Sequence, residues 1–155
     1  MSNTANPSWI VRIPTPIWLI ALVAVVVVVD LLFPISVVFQ YKPAGFALIV
    51  LGAAISAWGR LTFRSAGAEI FPWSQAHSAL VARGPYRFTR NPMYLGLVVI
   101  GFGAALAAGT WLMWLVPVVI LVLDNFIIIP FEERSMERAY GDDYREYKAR
   151  VRRWI

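Results

Sequence analysis

Four long apolar runs constrain the fold of this 155-residue chain more than any other feature. They cover residues 17–39, 44–63, 93–108 and 111–130. A helix that crosses the hydrocarbon core of a bilayer needs roughly 17–25 residues. Because lipid offers the backbone no hydrogen-bond partner, helix is the expected state of each run. The sequence therefore predicts an all-α integral membrane bundle with about four transmembrane helices, forming one domain over residues 1–155.

Composition agrees with a membrane protein and argues against two other classes. Hydrophobic residues make up 59% of the chain and charged residues 15%, whereas soluble domains carry about 25% charged residues. The net charge is +5, but the basic residues lie between and after the apolar runs, as in membrane proteins, so no nucleic-acid partner is expected. With no cysteine and a single histidine, His77, we expect no disulfide and no metal site.

The distribution of basic residues predicts the orientation in the membrane. Five arginines lie at the end of the second run or between it and the third, and seven basic residues follow the fourth, whereas only Lys42 follows the first. Positive charge favours the cytoplasmic side. Both termini and the central polar segment are therefore expected to face the cytoplasm, and the compact length favours the inner membrane of a bacterium. The first run is interpreted as a retained helix rather than a cleaved signal.

Two local patterns predict how the helices pack and end. Gly45, Gly52 and Gly59 recur along the second run and would allow close contact with another helix. Beyond the fourth run, apolar side chains recur every three or four residues from Met136 to Trp154, which predicts an amphipathic cytoplasmic segment over residues 131–155. Gly141 followed by Asp142 should divide this segment into two helices.

The segment from Gly84 to Gly96 carries the strongest local signals. Asn91 is a suitable N-cap and Pro92 suits the first helical position, so the third transmembrane helix should begin sharply there. The free amides of a helix N-terminus suit a carboxylate or phosphate. Arg90 adds donors, and Tyr86 and Tyr94 add aromatic faces that can hold a cation. Ordinary anchoring at the membrane interface is the alternative interpretation.

Three acidic residues in or just after the fourth run are further candidates. Glu132 and Glu133 adjoin the expected membrane boundary. They suit the hydroxyls or amino group of a nucleotide-like cofactor, or they are simply charges that a helix start favours. Asp124 lies inside the run, where an ionisable residue is costly and is a functional candidate by default. A structural hydrogen bond to a neighbouring helix is the alternative for Asp124.

Together these segments resemble the isoprenylcysteine carboxyl methyltransferase and phospholipid methyltransferase group of integral membrane enzymes. The resemblance covers roughly the second half of the chain. It rests on Leu80-Val81, Gly84-Pro85-Tyr86-Arg87, Arg90-Asn91-Pro92-Met93-Tyr94-Leu95-Gly96, Glu132-Glu133, Tyr140-Gly141-Asp142-Asp143-Tyr144, Tyr147, Val151 and Trp154. It implies methyl transfer from S-adenosylmethionine to a lipid-like or other apolar small molecule at the cytoplasmic face of the membrane.

The resemblance also implies which residues hold the cofactor. These are Ser78, Ala79, Leu80, Val81, Tyr86, Asn91, Pro92, Met93, Tyr94, Glu132 and Glu133. Arg90 would brace the pocket or meet the methionine carboxylate. Asp124 and Glu133 are the candidates for a catalytic base, if the acceptor atom needs one.

Two departures from the group bear on the substrate. Its eukaryotic members usually have His where this chain has Asn91, and Asn donates a hydrogen bond but does not titrate. The prenylcysteine enzymes carry a substrate-side Arg near the position of Ile128, which argues against a prenylated peptide carboxylate. Asp124 points instead to a neutral or cationic polar head with an apolar tail.

Two other functions remain compatible with the residues. One is a membrane NADPH-dependent reductase of the sterol type, which shares this C-terminal architecture but is usually longer. The other is a non-catalytic membrane protein, such as a transporter subunit or scaffold. Cofactor binding separates the first from a methyltransferase, and tolerance of changes at Arg90, Tyr94 and Glu132 would indicate the second.

Overall fold

The computed structural model describes residues 9–33, 36–67 and 80–155, and their architecture is all-helical, as predicted. The helices are α1 (Trp9–Arg12), α2 (Thr15–Leu32), α3 (Lys42–Ser65), α4 (Pro92–Ala108), α5 (Leu115–Leu123), α6 (Ile129–Tyr140) and α7 (Asp142–Arg150). A 3₁₀ turn, Gly84–Arg87, precedes α4, and a π turn, Asp124–Ile128, joins α5 to α6. The only β-type pairing in the described part is an isolated bridge between Val37 and Thr110.

Three helical stretches of the described chain are long and apolar enough to cross a membrane. They are Thr15–Leu32, Lys42–Ser65 and Leu115–Tyr140, and the 17-residue α4 adds a shorter apolar helix. Large apolar side chains such as Ile20, Val50 and Phe126 point outward and are 68%, 69% and 71% exposed. Contiguous apolar surface of this kind is unfavourable in water and unremarkable against lipid tails. The protein is therefore an integral membrane protein.

Glycines bring α3 and α4 into backbone contact. Gly45, Gly52 and Gly59 are buried on one face of α3, as the sequence predicted, and Gly96 and Gly103 are buried on α4. A Cβ atom on Gly52 would lie 2.5 Å from the carbonyl oxygen of Gly96, and one on Gly103 would lie 2.7 Å from that of Gly45. No side chain fits in this space, so the two backbones pack directly. This contact fixes where α4 begins relative to α3.

The first membrane helix ends earlier than predicted. The sequence suggested a span to Phe39, but α2 stops at Leu32. Phe33 precedes a proline and is extended, with φ −135° and ψ 86°, because a residue before proline avoids the helical region. Gln40 then donates to the carbonyl oxygens of Ala107 and Ala108 at 2.9 and 3.0 Å. The segment after α2 thus satisfies the C-terminal carbonyls of α4.

The fourth helix starts later and runs further than predicted. Residues from Trp111 to Trp114 form turns, so α5 begins at Leu115, and the helix continues past Pro130 to Tyr140. In the π turn, the N–H of Ile129 donates to the carbonyl of Asp124, five residues back. Pro130 has no N–H, so it cannot donate the next hydrogen bond of this pattern. The next carbonyl, of Asn125, instead accepts a hydrogen bond from Arg153 Nη1 at 3.2 Å.

The C-terminal segment divides at Gly141, as predicted, where φ is +53°. The expectation that Val151 and Trp154 continue a helical face is wrong, because α7 ends at Arg150 and Val151 is extended, with φ −118° and ψ 130°. The carbonyls of the extended residues bind the segment before α4. Arg90 N–H donates to Arg152 O at 3.0 Å, and this pairing holds the chain away from a helical path.

Candidate functional site: a polar-ended cavity at the start of α4

A cavity of about 330 Å³ lies where α4 begins, between the α1–α2 junction, the end of α3 and helix α6. Ligand pockets commonly occupy about 300–1,000 Å³ and combine apolar walls with a few polar groups. The residues that line it are Val11, Ile13, Pro14, Thr15, Pro16, Arg60, Phe63, Leu80, Val81, Tyr86, Arg90, Asn91, Pro92, Met93, Tyr94, Leu97, Ile128, Glu132, Glu133, Ser135, Met136, Tyr144 and Tyr147.

The start of α4 and the first turn of α6 meet through Tyr94 and Glu132. The Tyr94 hydroxyl donates to Glu132 Oε1 at 2.5 Å, and both side chains line the cavity. A bond to a carboxylate is charge-assisted and strong. It fixes a carboxylate and an aromatic ring side by side at the cavity wall, an arrangement that suits a ligand with hydroxyl, amino or cationic groups.

Glu133, by contrast, is held by the protein itself. Its Oε1 accepts from Arg90 Nη2 at 2.7 Å and its Oε2 accepts from Arg153 Nη2 at 2.7 Å, with its side chain only 8% exposed. Lys148 Nζ stands 3.8 Å from Oε2. With two guanidinium groups on its oxygens, this carboxylate is poorly placed to take a proton from a substrate. Its observed role is to join α6 to the start of α4 and to the C-terminal segment.

Arg90 is the centre of this junction. Besides Glu133, its Nη1 donates to the carbonyls of Lys148 and Val151 at 3.0 and 2.6 Å. The sequence left open whether Arg90 braces the pocket or meets the methionine carboxylate, and these hydrogen bonds match the first possibility. Its buried Nε has no hydrogen-bond partner among the described residues, so one donor of this cavity-lining residue is unused.

Tyr86 places a second unused polar group in the site. Its hydroxyl is buried and has no hydrogen-bond partner within residues 9–33, 36–67 and 80–155. Burial, with smaller contributions from Tyr147 and Glu132, raises the pKa of Tyr86 well above its usual range, so the hydroxyl stays protonated and can donate. Its backbone carbonyl accepts from the Tyr147 hydroxyl at 2.8 Å, which anchors the 3₁₀ turn to α7.

Asn91 and Asp124 have structural partners. Asn91 stands at the N-cap position of α4, as predicted, but its side chain makes no capping bond and donates to Arg153 O at 3.0 Å instead. Asp124 is fully buried and does not line the cavity. Its Oδ1 accepts from the hydroxyl of Thr15 at 3.1 Å. This bond between helices is the structural alternative that the sequence left open for Asp124.

The cavity thus gathers ten of the twelve residues that the resemblance assigned to the cofactor. Ser78 and Ala79 lie outside the described residues. The sequence did not indicate Thr15 or the rest of the α1–α2 junction as part of the cavity, because a short run of Ile, Pro and Thr before an apolar helix carries no motif. It did not indicate the role of Arg153 either. Among the described residues there is no group of three acidic or histidine side chains that would hold a metal ion.

These features define an integral membrane helical protein with a small-molecule cavity near the ends of its helices. The family model for phospholipid methyltransferases matches residues 41–143, and the chain belongs to this family. It is 26% identical over 129 residues to methanethiol S-methyltransferase 1 of Bradyrhizobium diazoefficiens, an alignment that covers 75% of this chain and 44% of that protein.

A second relative is shorter than this chain. An uncharacterized protein of Haemophilus influenzae is 40% identical over 63 residues, which is its whole length and 41% of this chain. No solved structure matches. The family and the methyltransferase relative together point to methyl transfer by a membrane protein.

Proposed function

We propose that this protein transfers a methyl group from S-adenosylmethionine to an apolar or lipid-like small molecule. One observation carries the proposal: a single cavity brings the Tyr94–Glu132 pair, the unpartnered donors of Tyr86 and Arg90, and an apolar wall together. The catalytic unit is one domain over residues 1–155. Because basic residues cluster around this end of the bundle, we place the cavity and both termini on the cytoplasmic side of a bacterial inner membrane.

The residues present suit this cofactor. S-adenosylmethionine carries hydroxyl and amino groups, a carboxylate and a sulfonium cation. Glu132 is suited to accept from hydroxyl or amino groups, and Tyr86 and Arg90 offer donors for anionic or carbonyl oxygens. The aromatic faces of Tyr86 and Tyr94 suit a cationic centre. Phe63 and Val81, buried beside Tyr86, give the pocket apolar contact surface.

The chain's own contribution to the reaction is alignment. When bound, the cofactor supplies an electrophilic methyl group. The residues at the start of α4 and on α6 would bind it from two sides, and the α1–α2 junction would keep water from the acceptor. Alignment of two reactants can lower a barrier by about 7–11 kcal/mol. Glu133 is not free to act as a base, since both of its oxygens accept from arginines, whereas Glu132 accepts from Tyr94 through one oxygen and is assigned to the cofactor.

The acceptor is a small molecule that partitions into the bilayer. The family description suggests a lipid-like acceptor, and the name of the Bradyrhizobium relative suggests a thiol. Both are compatible with a cavity whose wall includes the start of the first membrane helix. Such an acceptor would enter from the membrane while the water-soluble cofactor enters from the cytosol.

Calorimetric titration of the detergent-purified protein tests the proposal. Wild-type protein should bind S-adenosylmethionine and S-adenosylhomocysteine, and Glu132→Ala should weaken both by about tenfold or more, since a charge-assisted bond is worth roughly 1.5–3 kcal/mol. Glu146→Ala is the matched control, because that carboxylate lies on α7 with a side chain 71% exposed. Binding of NADPH, with neither adenosyl ligand bound by folded wild-type protein, would establish the reductase instead.

A further inference from the structure

The α1–α2 junction contributes a nearly uniform apolar wall to the cavity. Val11, Ile13, Pro14 and Pro16 line it, and α1 lies against the π turn that carries Ile128. The one polar side chain in this stretch of lining is that of Thr15. A single hydroxyl in an apolar wall has a strong influence on which ligand groups fit, because any unmatched polar group there loses its hydration without compensation.

The hydrogen bond of Thr15 limits what that hydroxyl can offer a ligand. Its one hydrogen is given to Asp124 Oδ1 at 3.1 Å, and the two residues are 2% and 0% exposed. A hydroxyl has one donor and two lone pairs. With its hydrogen committed, Thr15 can only accept from a ligand. An ether, carbonyl or carboxylate oxygen of a ligand placed there would be an acceptor facing the Thr15 oxygen, which is also an acceptor, so no hydrogen bond would form.

The carboxylate behind Thr15 adds to this preference. Asp124 Oδ2 is buried without a hydrogen-bond partner, and no ion pair reaches Asp124 from the described residues, whereas Arg90 and Arg153 are both bound to Glu133. The wall therefore has acceptor capacity to spare and no donor or cation of its own to offer an anion. Such a wall favours a neutral or cationic donor and disfavours an anion.

We propose that the Thr15–Asp124 pair is the subsite for the methyl acceptor and selects an apolar molecule whose neutral or cationic head carries a hydrogen-bond donor, such as a thiol, hydroxyl or amine. This inference rests on the proposed methyl transfer and adds the substrate class to it. For a thiol or alcohol, methyl transfer would form a bond from the sulfur or oxygen to the methyl carbon as the bond from that carbon to the sulfonium sulfur breaks, and the donor hydrogen would leave to the aqueous side as a proton. The same subsite therefore binds the product more weakly than the substrate and aids its release.

Binding without turnover tests the subsite. Protein in nanodiscs, saturated with S-adenosylhomocysteine, is titrated with 1-octanol, octyl methyl ether and octanoate, with partitioning into empty nanodiscs subtracted. Wild-type protein should bind the alcohol more tightly than the ether and the carboxylate least. Thr15→Val, which keeps the side-chain shape, should weaken the alcohol about 3- to 10-fold and leave the ether unchanged, while Thr15→Ser keeps the preference.

Equal binding of the alcohol and the ether by wild-type protein, or an unaltered preference in Thr15→Val, would overturn the inference. Asp124→Asn gives a second variant, in which the discrimination against octanoate should shrink because the amide supplies donors where the wall had spare acceptors. S-adenosylhomocysteine binding should be the same in wild-type protein and Thr15→Val. If wild-type protein does not bind S-adenosylhomocysteine at all, the proposed methyl transfer fails. The preference for the alcohol over the ether, measured on the protein without that ligand, then still shows whether Thr15 forms the subsite.

Discussion

Arg153 binds Glu133 through two hydrogen bonds, from Nη2 to Oε2 at 2.7 Å and from Nε to Oε1 at 3.3 Å. The third nitrogen of the same guanidinium donates to the carbonyl and the side-chain oxygen of Asn125, each at 3.2 Å. One side chain near the end of the chain thus links α6 to the π turn. The rigid fork of arginine fits both partners at once, which lysine does not do.

We therefore expect Arg153→Lys and Arg153→Met to destabilise the protein. Arg90 remains on Glu133, so the loss should be about 1–3 kcal/mol, the cost of leaving a charged hydrogen-bonded group partly unpaired. Thermal unfolding in detergent measures this. Arg152→Met is the matched control, because the Arg152 side chain is exposed and only its backbone carbonyl binds Arg90. Equal losses in Arg152→Met and Arg153→Met would show that the ion pair is not what stabilises this junction.

The contact between α3 and α4 predicts a large effect from a single methyl group. Gly52→Ala would place a Cβ atom 2.5 Å from the backbone oxygen of Gly96, so the helices must separate. Overpacking of this kind costs about 1–3 kcal/mol. Thermal unfolding of Gly52→Ala should show the loss, while Ala53→Val, on the adjacent exposed face of α3, should be nearly neutral. A neutral Gly52→Ala would mean that the two backbones are not in contact.

Tyr94→Phe should weaken cofactor binding without unfolding the protein. The ring and its packing remain, but Glu132 loses the hydroxyl that orients it. The expected drop in affinity for S-adenosylhomocysteine is about 3- to 10-fold, the worth of a hydrogen bond of roughly 0.5–1.5 kcal/mol. Calorimetry measures the affinity, and the melting temperature checks the fold. Tyr41→Phe provides the control, since Tyr41 is exposed and distant in sequence from the lining residues. An unchanged affinity would show that the hydrogen bond from Tyr94 to Glu132 does not contribute to cofactor binding.

Tyr147 predicts a pH dependence of stability. Burial, partly offset by Arg90, raises the pKa of Tyr147 to about 12 from the ordinary 10.0. A group whose folded pKa is raised contributes stability that is fully present below the unfolded pKa and is lost as pH rises through the folded one. Stability should therefore fall from about pH 10 upward, and Tyr147→Phe should lessen this alkaline slope. Unfolding curves between pH 8 and 11 measure it, with Tyr41→Phe as the control. An identical slope in both variants would contradict the assignment.

Several features of the site were predictable because their causes are local. Pro92 has no N–H to lose at a helix start, so α4 begins there whatever surrounds it. Gly141 adopts positive φ at little cost, so the C-terminal helices divide there. Motif resemblance placed Tyr86, Tyr94 and Glu132 in one pocket, and the cavity does contain all three. Their roles in cofactor binding stay predictions.

Other features depended on residues far apart in the chain. The sequence placed the end of the fourth apolar run at Pro130, but one helix continues past it to Tyr140, and Arg153 binds the carbonyl that the π turn and the proline leave free. Asp124 and Glu133 looked equally available as bases. In the structure, Asp124 accepts a hydrogen bond from Thr15, and Glu133 accepts hydrogen bonds from Arg90 and Arg153. These partners lie 20 to 109 residues away along the chain.

The sequence by itself determined that this chain is a membrane-embedded helical bundle, because apolar runs of bilayer length have no other stable state in lipid. It also determined where α4 begins and which family motifs surround that point, since these depend on neighbouring residues. Only the tertiary structure decided which polar groups face the cavity and which are bound by other groups of the protein. That choice depends on contacts between α2, the π turn and the C-terminal segment, whose geometry is set by packing rather than by any local pattern.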